Sequence, residues 1–186
     1  ERIASDACDI VNKYGFAYLA MEVRTGKTFT ALAVAKKLEK KSVLFVTKKK
    51  AIDSIGKDYM SFDCEFAMDI INYESVHKFS VHKYDLVVLD EAHSMGAFPK
   101  PTGRATAIRN VLYKNGFPDV IYLSGTPSPE SYAQIFHQLW VLGDNSPFAG
   151  YKNFYQWARD YVHVTQRKIG SMMVNDYSNA MQGRIE

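Results

Sequence analysis

The sequence predicts an α/β domain, a central, mostly parallel sheet with helices on both faces. Continuous apolar runs carry the strand signal: VLFV (Val43 to Val46), LVVL (Leu86 to Leu89) and VIYL (Val120 to Leu123), rich in β-branched and aromatic residues. A strand apolar on both sides belongs in a sheet covered twice, as parallel sheets are. Between these runs lie segments with apolar residues at helical spacing, so strand and helix alternate. With 186 residues, 47% hydrophobic and 23% charged, the chain can build such a core.

The elements follow in order. Residues 2–14 read as a helix with Ile3, Ala7, Ile10 and Val11 on one side. AYLAM (Ala17 to Met21) is a short apolar run ended by a loop, hence a strand. Ala31, Val34, Ala35 and Leu38 then mark one face of an amphipathic helix. After VLFV come a helix around residues 50–60 and a short strand ending near Ile71. Pro99, Pro101 and Gly103 break the pattern into a loop, and helix resumes along ATAIRNVLY, Ala105 to Tyr113. Beyond Pro129, Tyr132, Ile135, Phe136, Leu139 and Leu142 share a helical face, and with Phe154, Trp157 and Tyr161 they read as core. Residues 1–165 make the domain, and the aperiodic residues 166–186 read as the start of a linker or extension.

Composition narrows the setting. No apolar run approaches bilayer length, and ERIASDACDIVNK at the start does not resemble a signal peptide, so no membrane is expected. Cys8 and Cys64 are far apart, without C-x-x-C or histidine spacing, and read as reduced thiols of an intracellular protein, cytoplasmic or, in a eukaryote, nuclear. A net charge of +3 does not by itself argue for nucleic acid. The cluster Lys36 to Lys41 reads as solvated surface, whereas Lys48 to Lys50 needs support from its position. His77, His82, His137 and His163 have no ligand spacing.

Two stretches carry chemistry. MEVRTGKT (Met21 to Thr28) ends in Gly26-Lys27-Thr28 between a strand and a helix, the setting in which backbone N–H groups and a helix N-terminus surround phosphates. Lys27 then bridges the β- and γ-phosphates of ATP and the Thr28 hydroxyl binds Mg²⁺. The first glycine of the usual loop is replaced by Met21. LVVLDEAH (Leu86 to His93) places two carboxylates at the end of an apolar strand. Ligands of parallel sheets lie at the carboxyl ends of strands, so Asp90 reaches Mg²⁺ and Glu91 polarises the attacking water. An Asp-Glu pair that merely starts a helix leaves its conjunction with the phosphate loop unaccounted for.

GKT, DEAH and SGTP (Ser124 to Pro127) resemble motifs I, II and III of superfamily 2 helicases and translocases, most closely the Swi/Snf-like branch with its phage and bacterial relatives. There motif I often reads E-M-x-x-G-K-T, similar to Glu22-Val23-Arg24-Thr25-Gly26-Lys27-Thr28. LFVTKKKAI (Leu44 to Ile52) resembles motif Ia and INYES (Ile71 to Ser75) motif Ib. The resemblance implies an N-terminal RecA-like P-loop ATPase lobe of an ATP-dependent DNA translocase. It implies that Glu22 to Thr28, Asp90, Ser124 and Thr126 bind nucleotide, that Thr28 and Asp90 hold the metal, and that Lys27, Glu91 and His93 act in catalysis. His93, Ser124 and Thr126 couple the γ-phosphate to the nucleic-acid surface. Thr47, Lys48, Lys49, Tyr73, Glu74 and Ser75 lie where relatives touch a strand's backbone, double-stranded DNA being the track the branch favours.

Two departures stand beside the likeness. The upstream glutamine with which relatives read adenine is absent from residues 1–27, and motifs IV to VI are absent too. In the family a second RecA-like lobe carries those motifs with arginine fingers, whose loss costs on the order of 10³–10⁵ in rate, so this chain alone is expected to be weakly active. The motor portion of a restriction or repair enzyme, and a nucleotide-dependent DNA clamp without turnover, remain as alternatives.

Overall fold

The apolar runs pair side by side, as strands buried on both faces must. The computed structural model describes residues 2–22, 25–78 and 83–185. Strands β1 (Phe16–Ala20), β2 (Ser42–Thr47), β3 (Ala67–Asn72), β4 (Leu86–Asp90) and β5 (Asp119–Ser124) form one parallel sheet in the order β1-β5-β4-β2-β3. The register sets Ala20 beside Ser124 and Asp90 beside Leu123, so the loops after β1, β4 and β5 emerge at one rim.

Period-two alternation sorts the strand residues between two cores. Val43, Phe45, Leu86, Val88, Ile121 and Leu123 face a cluster containing residues of helices α1 (Arg2–Tyr14), α2 (Lys27–Lys37) and α3 (Ile52–Ser61). Leu44, Val46, Val87, Leu89, Val120 and Tyr122 face the opposite cluster, built with α4 (Gly103–Lys114), α5 (Ile135–Trp140) and α6 (Phe154–Tyr161). The connection after β2 therefore leaves on one face, and that after β4 on the other. β2 and β4 are neighbours, so a crevice opens between their carboxyl ends, where open α/β sheets bind ligands.

Caps explain where the helices begin. Gly26 precedes α2 with φ 81° and ψ 30°, a left-handed conformation cheap only for glycine. A Cβ there would meet nothing within 4 Å, so the requirement is conformational rather than steric. The Thr102 hydroxyl accepts the Ala105 N–H at 3.0 Å, which starts α4 at Gly103, a residue the sequence pattern places in a loop. The α5 pattern beyond Pro129 resolves into a short helix between 3₁₀ turns at Tyr132–Gln134 and Gly143–Asn145. Gly143, at φ 61°, closes it, and a Cβ there would meet the Phe117 ring at 2.6 Å. Asn153 caps α6 through Gln156 N–H, setting Trp157 fully buried among Phe136, Phe148 and Phe154.

The extension expected over 166–186 includes a hairpin, β6 (Thr165–Ile169) against β7 (Met172–Asp176), turned at Gly170 with φ 61°. Ile169, Met172 and Met173 are exposed, so no buried face imposes the alternation that would mark strands in the sequence. The chain then returns to the domain and ends in a short helix, α7 (Gln182–Ile185). Ser131 Oγ donates to Ser178 O at 2.6 Å, and Tyr177 packs on Phe154 and Tyr155. Among the described residues no helix is long and apolar enough to cross a membrane.

Candidate active site

A cavity of about 320 Å³ lies at the rim where β1, β4 and β5 end, lined by Gly26, Lys27, Thr28 and Phe29, by Asp90 and Glu91, and by Ala51, Ser54, Ile55 and Asp58. The two motifs, more than sixty positions apart in sequence, thus share one space. The volume is at the lower end of the range for small-molecule sites.

The loop after β1 supplies a cation. Lys27 opens α2 and folds its amine back over the loop, donating to Met21 O at 3.2 Å and Glu22 O at 3.3 Å. Thr25 Oγ1 also donates to Glu22 O, at 2.7 Å. Met21 N–H donates to Ser124 O at 3.0 Å, tying the loop to the end of β5. Thr28 borders the cavity; Glu22 and Thr25 are exposed beside it, and Val23 and Arg24 lie outside the described residues.

The β4 end supplies the carboxylates. Burial pushes the Asp90 carboxyl above its ordinary range, while the donated Thr47 hydroxyl and the charge of Lys27 pull it back down. Thr47 Oγ1 donates to Asp90 Oδ2 at 2.7 Å, and Tyr73 OH donates to Asp90 O at 2.8 Å. Glu91 follows in the left-handed region, φ 51° and ψ 43°, a conformation costing a non-glycine residue about 1–2 kcal/mol. That turn aims the Glu91 carboxylate between Lys48 Nζ at 3.7 Å and His93 Nδ1 at 3.4 Å. His93 Nδ1 also meets Ser124 Oγ at 2.9 Å. Burial depresses the His93 pKa, opposed by Glu91 and Asp90, so the ring is neutral near pH 7.

Several expected residues take other places. Ser124 is fully buried behind the cavity, and Thr126 is exposed beside it, donating its N–H to Ser124 Oγ at 3.2 Å. Neither lines the cavity. Thr47 and Tyr73, expected on a nucleic-acid strand, are 0% and 2% exposed, their hydroxyls turned inward onto Asp90. Lys48 and Ser75 are half-buried and Lys49 is exposed. Glu74 is exposed and bonded to Arg104 at 2.5 Å, whose guanidinium also lies over the Tyr73 ring.

Ala51, Ser54, Ile55, Asp58 and Phe29 carry no motif signal in the sequence. Ser54 and Asp58 are four apart and share a face of α3, a pairing that means something only once α3 is known to border the rim. Phe29 also borders a second, largely apolar cavity of about 620 Å³, with Ile3, Met21 and Phe62.

The donor set suits a magnesium–polyphosphate group. A hydroxyl and carboxylates are hard oxygen ligands, and a helix N-terminus with a lysine presents positive charge beside them. Among the described residues no cluster of three or more His, Cys, Asp or Glu forms a metal cage, and a magnesium ion shared with phosphates and water needs none. No protein-family model and no curated protein matches the chain.

Proposed function

We propose that the chain is the ATP-binding, RecA-like first lobe of a superfamily 2 DNA translocase of the Swi/Snf-like kind. The observation that carries this reading is the convergence of Lys27, Thr28, Asp90 and Glu91 on one cavity at the carboxyl rim of the sheet. The α2 N-terminus and Lys27 bind the phosphates of ATP, Lys27 releasing the carbonyls of Met21 and Glu22 to do so. Thr28 and Asp90 hold Mg²⁺, which when bound neutralises phosphate charge. Glu91 orients a water and accepts its proton, and the His93 contact keeps its carboxylate in place. The apolar cavity beyond Phe29 offers room for the base.

Lys49 is exposed and the half-buried Lys48 lies beside Glu91, and both suit a phosphate backbone. Lys48 also contacts Glu91, so strand binding and the hydrolytic carboxylate share a residue. A second lobe carrying arginine fingers would complete the site. The test is Mg²⁺-dependent ATP hydrolysis with and without double-stranded DNA. Glu91→Gln is expected to bind ATP as the parent does and to hydrolyse it about 10²–10⁴-fold more slowly. Equal hydrolysis by Glu91→Gln would remove Glu91 from the role of base.

A further inference from the structure

Strand register, rather than the chance reach of a long side chain, sets a lysine against the Glu91 carboxylate. β2 and β4 run parallel as neighbours, with Val46 beside Leu89. Their last residues, Thr47 and Asp90, are therefore level, and the hydrogen bond between them at 2.7 Å fastens the two strand ends together. Lys48 and Glu91 come next. Lys48 continues the extended path of β2 with φ −77° and ψ 142°, and its carbonyl accepts the Ala51 N–H at 2.9 Å, which fixes the backbone there. Glu91 is fixed by its left-handed turn. The contact of Lys48 Nζ with Glu91 Oε2 at 3.7 Å thus joins two held positions.

Glu91 lines the cavity and Lys48 does not, so the pair draws the carboxylate toward the outer rim, where Lys49 and Lys50 are exposed. The lysine side chain is 42% exposed and the glutamate 30%. A pair so open to water outweighs its separated form by only about 2–5-fold. A second anion at the rim therefore competes for the ammonium on nearly equal terms, and a backbone phosphate is such an anion. The ammonium has donors enough for both, but holding both would set two negative charges side by side. One displaces the other.

We propose that Lys48 restrains Glu91 while no strand is bound, and that a backbone phosphate of duplex DNA, by taking the Lys48 ammonium, frees the carboxylate for hydrolysis. Glu91 then takes a proton from the attacking water, whose oxygen bonds to the γ-phosphorus of ATP as the bridging oxygen leaves with ADP. His93 Nδ1, 3.4 Å from the same Glu91 oxygen, remains as its partner. Coupling of this kind is reciprocal, so removing the Glu91 charge releases Lys48 and tightens DNA binding. The restraint rests on the hydrolytic reading of the site; the competition for Lys48 needs only the strand contact.

The first measurement is the affinity of the chain for a fluorescent DNA duplex, by anisotropy without nucleotide at one fixed salt concentration. Glu91→Gln is expected to bind about 2–5-fold more tightly than the parent. Lys48→Met is expected to bind more weakly and to cancel that gain in the double variant. Lys49→Ala, which weakens DNA binding without touching Glu91, is expected to keep it. A general loss of negative charge would give the gain in every background, so the cycle isolates the shared lysine. No gain from Glu91→Gln, a gain that persists in Lys48→Met, or a chain that does not bind the duplex would overturn the proposal.

The second is Mg²⁺-dependent ATP hydrolysis. Without DNA, Lys48→Met is expected to exceed the parent about 2–5-fold, and to gain correspondingly less from saturating duplex. Lys49→Ala is expected to need more duplex to reach the parent's stimulated rate. A Lys48→Met variant with the parent's DNA-free rate and the parent's stimulation would overturn the restraint alone. A chain that hydrolyses no ATP would overturn the nucleotide reading and the restraint with it, whereas the affinity cycle would still report the competition for Lys48.

Discussion

Thr47→Val probes the buried partner of the Asp90 carboxylate. Thr47 is 0% exposed and donates to Asp90 Oδ2 at 2.7 Å. Valine keeps nearly the same shape, so the substitution opens almost no cavity and removes one donor from a buried charge. A hydrogen bond to a charged group contributes about 1.5–3 kcal/mol, against about 0.5–1.5 kcal/mol between neutral groups. Thr47→Val should therefore cost about 1.5–3 kcal/mol at neutral pH, and roughly 1 kcal/mol less in an Asp90→Asn background.

Urea unfolding of the four proteins, arranged as a double-mutant cycle, measures that difference. Its pH dependence has a definite sign. Burial raises the folded Asp90 pKa above its unfolded value, so the native state binds the proton more tightly between the two values. The associated stability is fully present below the unfolded value and is lost as pH rises through the folded one. Thr47→Val removes an interaction that lowers the Asp90 pKa, so its deficit should be small in acid and grow as Asp90 ionises. An equal cost in both backgrounds, or a cost independent of pH, would refute the pairing of Thr47 with an ionised Asp90.

Other perturbations follow from the same contacts. Gly96→Ala would drive a Cβ to 2.8 Å from the Gln138 amide and 2.9 Å from Gln134 Cβ; it should destabilise by about 1–3 kcal/mol in thermal or urea unfolding. His93 and His137 both have pKa values depressed by burial, so their stability contribution is present above about pH 6.5 and is lost as pH falls through the folded values. The unfolding midpoint should drop on acidification through that window, and less steeply in His137→Gln. Lys48→Ala and Lys49→Ala should each weaken binding to duplexes of any sequence and reduce the slope of log affinity against log salt by about 1.

Much of the architecture is legible in the sequence because local physics dictates it. Val43 to Val46, Leu86 to Leu89 and Val120 to Leu123 are apolar at successive positions, which only a doubly covered sheet accommodates, and all three are neighbouring central strands. Gly26-Lys27-Thr28 announces its turn and helix through the left-handed glycine. Less visible is what packing decides. That β5 lies between β1 and β4 is not written in chain order, yet it sets Ser124 behind His93. Thr47 and Tyr73 occupy motif positions that suggest surface contacts, but both are buried, Thr47 at the end of β2 and Tyr73 in the turn after β3, and their hydroxyls turn to Asp90. Lys40, in a cluster that reads as solvated, reaches Asp119 at 2.5 Å across 79 positions, a pairing no local pattern signals.

A single pocket in which Lys27 faces Asp90 and Glu91 underlies the nucleotide reading, and calorimetric titration of ATP probes it without intermediaries. The chain should bind ATP in a Mg²⁺-dependent manner, and Lys27→Ala should weaken that binding about 10–100-fold while melting as the parent does. A chain that binds no ATP with Mg²⁺ present, or a Lys27→Ala variant that binds it equally well, would contradict that reading.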